Sequence, residues 1–220
     1  DATFSVDLTT DNSFFEDENF FASNIGSTFE NKGLLIKNND TYLYEQASFI
    51  NSGVIHINSG SLSLSGKTTF DGGVINIDDG AYFDMSRGNL NIINDAYING
   101  DFYMSGGTID GDADLTIAGD MYWYGGTMSG NGRTILKGDT IIRKYFTYID
   151  HVYLDGNRTL ENQGKIEQWG LVTVGFNAGN SLGSGKIVNS SGAEYHLYGT
   201  DQKTVWVSQN MSDSDDGNDA

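Results

Sequence analysis

The chain is predicted to be an all-β protein, a parallel β-solenoid of the right-handed β-helix type with rungs of about 19–21 residues and an N-terminal cap. Three observations carry this. Gly100–Asp120 reads GDFYMSGGTIDGDADLTIAGD and Gly119–Asp139 reads GDMYWYGGTMSGNGRTILKGD, so a Gly-Asp unit recurs with Asp101, Asp120 and Asp139 each 19 residues apart. Short alternating runs, SLSLS at Ser61–Ser65, VINI at Val74–Ile77 and LVTV at Leu171–Val174, are strand-length and bounded by Gly, Asn, Asp or Ser. Proline is absent while glycine numbers 29 of 220 residues. Turns ordinarily use both residues. Losing only proline makes sense where nearly every segment lies between two others and each backbone N–H must donate.

A unit of about 20 residues holding two or three short strands cannot bury its own apolar face, but stacked copies can. Nine or ten rungs at about 4.8 Å would make a rod roughly 45 Å long. No segment has a convincing helical period.

Along the chain, residues 1–28 do not follow the period and carry FFEDENFF at Phe14–Phe21. Paired phenylalanines around an acidic centre suit a cap, with aromatics over the first rung and carboxylates in water. Residues 29–208 form the solenoid. Gly33, Gly53 and Gly73 open apolar runs 20 residues apart, introduced by Asn31, Asn51 and Asp71. Asn38, Asn58 and Asp78 recur in the same register, and stacked amides can hydrogen-bond from rung to rung. Gly107, Gly126, Gly164 and Gly185 continue the series. The rung near Gly88–Ile93 is out of step, and the one around Lys144–Asp150 has lost its glycine. Val205–Val207 is expected as the last strand, and residues 209–220 as an acidic tail or linker.

The formal net charge of -18 makes nucleic acid and anionic membrane surfaces unsuitable partners and favours cations. There is no cysteine, and no apolar run reaches the roughly 18 residues that membrane insertion as a helix needs. The chain begins at Asp1, as expected of a processed mature form or an excised fragment.

Trp123–Gly132 (WYGGTMSGNG), followed by LDGNRTLENQGKIEQWG at Leu154–Gly170, resembles repeats of very large secreted bacterial β-solenoid surface proteins, filamentous-haemagglutinin-like and adhesin-like. The resemblance spans roughly Asn31 to Trp206. It implies an extracellular or cell-surface location, a structural or adhesive role and membership of a longer polypeptide. It implies no catalytic residues. The tail Asp213–Asp219 also resembles a calcium-binding aspartate repeat that is one residue short.

Stacked in register, Asp101, Asp120 and Asp139 would repel by roughly 1 kcal/mol per neighbouring pair in water and about 3–4 kcal/mol at an effective dielectric of 20. Either they are solvated or a cation such as Ca²⁺ bridges them with turn carbonyls. Asp110, Asp112 and Asp114 have the D-x-D-x-D spacing of a calcium loop, although Leu115 stands where a turn glycine is expected. Tyr103 aligns with Tyr122 and Met104 with Trp123, so alternation sends one member of each pair inward. Tyr103, Tyr122 and Trp123 are therefore the carbohydrate-binding candidates if their rings face out, and core if they face in. Arg143, Lys144, Asp150, His151 and Arg158 form the only mixed-charge neighbourhood, and His56, His151 and His196 share no metal-ligand spacing. No catalytic residue is expected. The expected function is a non-catalytic extracellular structural or adhesive module that assembles end to end, with a glycan or cell-surface ligand. The alternative is a carbohydrate-binding or polysaccharide-processing β-helix protein.

Overall fold

The computed structural model describes residues 3–6, 28–39, 41–43, 48–143, 152–169, 172–174, 185–198 and 207–209. Every regular element among them is a short strand, and the strands stack into three parallel sheets of nine, nine and eight members. One rung consists of Thr108–Gly111 in sheet 1, Leu115–Ile117 in sheet 2 and Met121–Trp123 in sheet 3. The next begins again at Gly126–Met128 and pairs in parallel with the one before it, Thr108 opposite Thr127 and Met121 opposite Thr140. The chain is a three-sided β-solenoid.

Alternation along each strand fills the interior. Leu35, Ile55, Ile75, Ile98, Ile117 and Leu136 form one buried column on sheet 2. Phe83 and Phe102 on sheet 3 stack with centroids 5.2 Å apart, and Phe83 also meets Phe70 of sheet 1 at 6.4 Å. A solenoid core of this kind has identical neighbours above and below, so each aromatic or branched side chain packs on a like one.

The ladder begins inside the segment expected as a cap, since Thr3–Val6 pairs with Leu34–Lys37 on sheet 2. Phe14–Phe21, Lys144–His151 and the acidic tail from Asn210 lie outside the described residues.

The phase differs from the sequence expectation. Gly33, Gly53, Gly73 and Gly185 precede strands of sheet 2, but Gly107 and Gly126 lead into sheet 1 and Gly164 into sheet 3. A rung has three corners, and all of them use glycine. Asn131 and Asn157 are bonded neighbours 26 residues apart, and Asp71 and Asn94 are 23 apart across a bulge between Ile92 and Asn94. These insertions shift one corner's glycines onto another's spacing. Asp71 leaves the asparagine column because the step is one residue shorter: Asn31 donates to Asn51, 20 residues on, at 2.7 Å, but Asn51 lies opposite Phe70.

Gly126 shows why a corner needs glycine. Its φ is +91°, and a Cβ there would lie 2.7 Å from the Gly107 carbonyl oxygen in the rung below. The sheet 1–sheet 2 corner is held by wholly buried Arg158, whose Nε donates to Thr134 Oγ1 at 2.9 Å. Its other nitrogens donate to the carbonyls of Gly111, Ser129 and Arg133 at 3.1–3.3 Å.

Candidate functional site

The acidic ladder runs along the entrance to sheet 3. The Asp120 backbone N–H donates to Asp101 Oδ1 at 3.2 Å, and the Asp139 N–H donates to Asp120 Oδ1 at 2.9 Å. Aspartate recurs because its carboxylate reaches one rung up and accepts an N–H that the turn leaves outside the sheet. The D-x-D-x-D stretch fans out instead of converging. Asp110 Oδ1 accepts the Gly111 N–H at 2.8 Å, and Asp112 accepts Asn131 Nδ2 at 2.7 Å. Asp114 holds Arg133 through its backbone N–H at 2.9 Å and through Nε and Nη2 at 3.0 and 2.5 Å. Burial raises the Asp114 pKa, but the Arg133 hydrogen bonds and charge outweigh it and leave the carboxyl below its ordinary value. Among the described residues no group of three or more His, Cys, Asp or Glu side chains gathers closely enough to hold a metal ion.

Tyr103 and Tyr122 do face outward on sheet 3, beside this ladder, with centroids 4.3 Å apart and planes 11° apart. Tyr82 leans on Tyr103 at 5.0 Å and 58°. Their faces meet each other, so what they turn outward is ring edges and hydroxyls, not a flat platform. Burial, the neighbouring Tyr122 and the Asp101 charge push the Tyr103 hydroxyl up to about 12. Trp123 points the other way: it is wholly buried and its Nε1 donates to the Gly125 carbonyl at 3.1 Å. Its ring is therefore core, as alternation requires, and cannot stack on a sugar.

A different set of aromatics occupies the corner from sheet 3 to sheet 1. The backbone N–H of Tyr124 donates to the Met104 carbonyl, that of Arg143 to Trp123, that of Trp169 to Ile142 and that of Tyr198 to Gln168. These four side chains thus stand at one position in four consecutive rungs. The Arg143 guanidinium lies over the Tyr124 ring, 5.3 Å from its centroid. Trp169 stacks on Tyr198 at 4.2 Å and 9°, and is 42% exposed. His196 flanks Tyr198 at 6.0 Å. Lys165 pairs with Glu167, His196 Nε2 lies 2.8 Å from Glu194 Oε2, and the Arg143 guanidinium contacts Tyr124. The Lys165 hydrogen bond holds the Glu167 carboxyl below its ordinary range.

The same corner, towards the N-terminal end, carries a shallow groove of about 640 Å³ lined by Ser65, Gly66, Lys67, Gly88, Asn89, Asn91 and Asp110. The corner also takes up added length in one rung. Ile142 pairs with Gln168, 26 residues on, against 19 at Trp123 and Ile142, and the added length falls here, between Ile142 and Val152; the 29 residues from Gln168 to Leu197 are added mainly between Val174 and Lys186, at the sheet 1–sheet 2 corner.

Trp169, Tyr198 and Tyr124 escaped the sequence analysis because these unequal rung lengths hide their common register. The one available signal was Arg143, already marked out by its mixed-charge surroundings. Of that neighbourhood, Lys144, Asp150 and His151 lie outside the described residues, and Arg158 is a buried corner residue.

The class defined by this architecture is the parallel β-solenoid. No protein-family model, curated protein or solved structure matches the chain.

Proposed function

We propose that the chain is a non-catalytic structural and adhesive module, a stiff acidic rod within a secreted or cell-surface bacterial protein. The observation that carries this is how its recurrent polar side chains are used. Asn31 and Asn51 at 2.7 Å, Asn38 and Asn58 at 3.0 Å, Asn76 and Asn99 at 3.0 Å, and Asn162 and Asn189 at 2.7 Å bond from rung to rung, as the Asp101–Asp120–Asp139 ladder does. Groups held this way stiffen the stack. The resemblance of Trp123–Gly132 and Leu154–Gly170 to surface-protein repeats supports the location, and the net charge of -18 keeps rods apart laterally.

The final strands of sheets 2 and 3, Lys186–Asn189 and Glu194–Leu197, leave Ile187 and Tyr195 only partly buried and Leu197 59% exposed. This favours end-to-end contact, which does not close and so gives filaments. Incubation with neutral and acidic polysaccharides, scored for both depletion and product formation, tests the module. Depletion or inertness without product fits a module. Release of shortened or unsaturated chains overturns it in favour of a polysaccharide-processing enzyme.

A further inference from the structure

We propose that the corner between sheet 3 and sheet 1 is a binding track for a neutral linear polysaccharide, with Trp169 as its principal stacking residue. The inference rests on the adhesive half of the function proposed above and gives it a ligand class and a location. Two features of different kind lie on this one corner. Towards the N-terminal end, the groove presents the amides of Asn89 and Asn91 with Lys67 and Asp110, hydrogen-bonding groups of both polarities suited to sugar hydroxyls. Towards the C-terminal end stand Arg143, Trp169 and Tyr198, in column with the buried Tyr124. Four rungs separate Gly88 from Trp169, about 19 Å at the spacing of stacked strands, long enough for several sugar residues.

Trp169 differs from the other aromatics of this surface. One of its faces rests on Tyr198, while the Arg143 guanidinium of the preceding rung is turned to Tyr124. An indole that is 42% exposed and held by a stacked neighbour suits the apolar face of a pyranose ring. Charge selects against an acidic polymer. Lys165 and His196 already face Glu167 and Glu194, the Arg143 guanidinium is engaged with Tyr124, and the Asp101–Asp120–Asp139 ladder lies on the adjoining face. An acidic chain would approach a rod of net charge -18 without a spare cation cluster among these residues to receive it.

The test titrates cellohexaose, polygalacturonate and chitosan oligomers against the intact chain, following tryptophan fluorescence and calorimetric heat. Saturable binding of cellohexaose, with a spectral change absent from Trp169→Ala and affinity lowered about tenfold in that variant, is the expected result. Tyr198→Ala should weaken binding as well. Tyr97→Ala, an exposed aromatic on sheet 2, should not. A matching melting temperature for Trp169→Ala shows that the loss is not unfolding. Polygalacturonate or chitosan binding in preference to cellohexaose, or cellohexaose binding untouched by Trp169→Ala, overturns the proposal. Absence of binding by all three probes also overturns it, while leaving the rod itself to stand or fall on product formation.

Discussion

Asp120 sits in a relay: its Oδ1 accepts the Asp139 N–H at 2.9 Å while its own N–H donates to Asp101 Oδ1 at 3.2 Å. The carboxylate does at the corner what a carbonyl does within the strands. Asparagine offers the same oxygen without the charge. Asp120→Asn should therefore lie within about 0.5 kcal/mol of the parent or melt slightly higher, since it also relieves the ladder's repulsion. Asp120→Ala should lose about 1 kcal/mol by urea denaturation. Calcium should move the melting temperature no more than sodium chloride at equal ionic strength. A calcium-specific rise that Asp120→Asn abolishes would instead establish a cation on the ladder.

Two glycines separate backbone strain from collision. Gly80 and Gly126 have φ of +80° and +91°, yet a Cβ at Gly80 meets nothing within 4 Å while one at Gly126 meets the Gly107 oxygen at 2.7 Å. Gly80→Ala should cost only the left-handed backbone penalty, about 1 kcal/mol. Gly126→Ala should cost clearly more, because the offending atom is backbone and can move only by parting two rungs. Thermal melts by circular dichroism compare them. Equal losses would mean that rung spacing yields easily.

Trp123 and Trp169 should separate stability from binding. Trp123→Ala empties a wholly buried site and is expected to lose about 3–5 kcal/mol. Trp169→Ala, at an exposed corner, should change stability by less than about 1 kcal/mol. Chemical denaturation of both variants gives the comparison, and a large loss at Trp169 would make that ring a structural pillar.

Much of this was legible beforehand, for a physical reason. A stack repeats its environment, so its period appears in the sequence as Gly-Asp and Asn columns, and Tyr103/Tyr122 against Met104/Trp123 could be read as opposite faces. What was hidden depended on phase. The added residues before Asn157 shift every later corner, so Gly164 looked like a partner of Gly126 although the two lead into different sheets. A second addition, between Val174 and Lys186, concealed Trp169 beneath Tyr198. Arg158 was hidden for another reason. A guanidinium carries no apolar signal, and its burial follows from carbonyls that only the folded corner assembles.

Alkaline pH should destabilise the chain. Burial, and for Tyr103 also its neighbours, push Tyr103 and Tyr195 up to about 12 from the ordinary 10, and Tyr122 is raised too. The folded state therefore keeps these phenol protons after the unfolded chain has released them. Their contribution is complete below pH 10 and falls away between pH 10 and 12. Arg158, lowered to about 10 by burial, works in the opposite sense over that range, as the folded state sheds its buried charge first. With three tyrosines against one arginine, stability should fall. Urea midpoints measured from pH 8 to 12, with phenolate absorbance, check this, and Tyr103→Phe should flatten the slope.

Arg158 gives the sharpest test of what closes a corner. Replacing a buried ion pair by apolar residues is often harmless, because both desolvated charges leave together. Here the partners of the guanidinium are the carbonyls of Gly111, Ser129 and Arg133 and the hydroxyl of Thr134, and the carbonyls remain whatever replaces it. Arg158→Met keeps most of the volume, relieves the burial of a charge, and strips those acceptors of their shared donor. Each carbonyl left buried without a partner costs about 1–3 kcal/mol, so a net loss of about 2–3 kcal/mol is expected after the desolvation gain. Arg158→Ala adds a cavity and should lose more, about 3–5 kcal/mol. Arg158→Lys keeps the charge but replaces a planar fork by a single ammonium that cannot span Thr134 and three carbonyls, so it should not restore the parent. Equilibrium unfolding of the three variants orders them. If Arg158→Met proves as stable as the parent, desolvation of the guanidinium cancels its hydrogen bonds, and the corner is held by the strands alone.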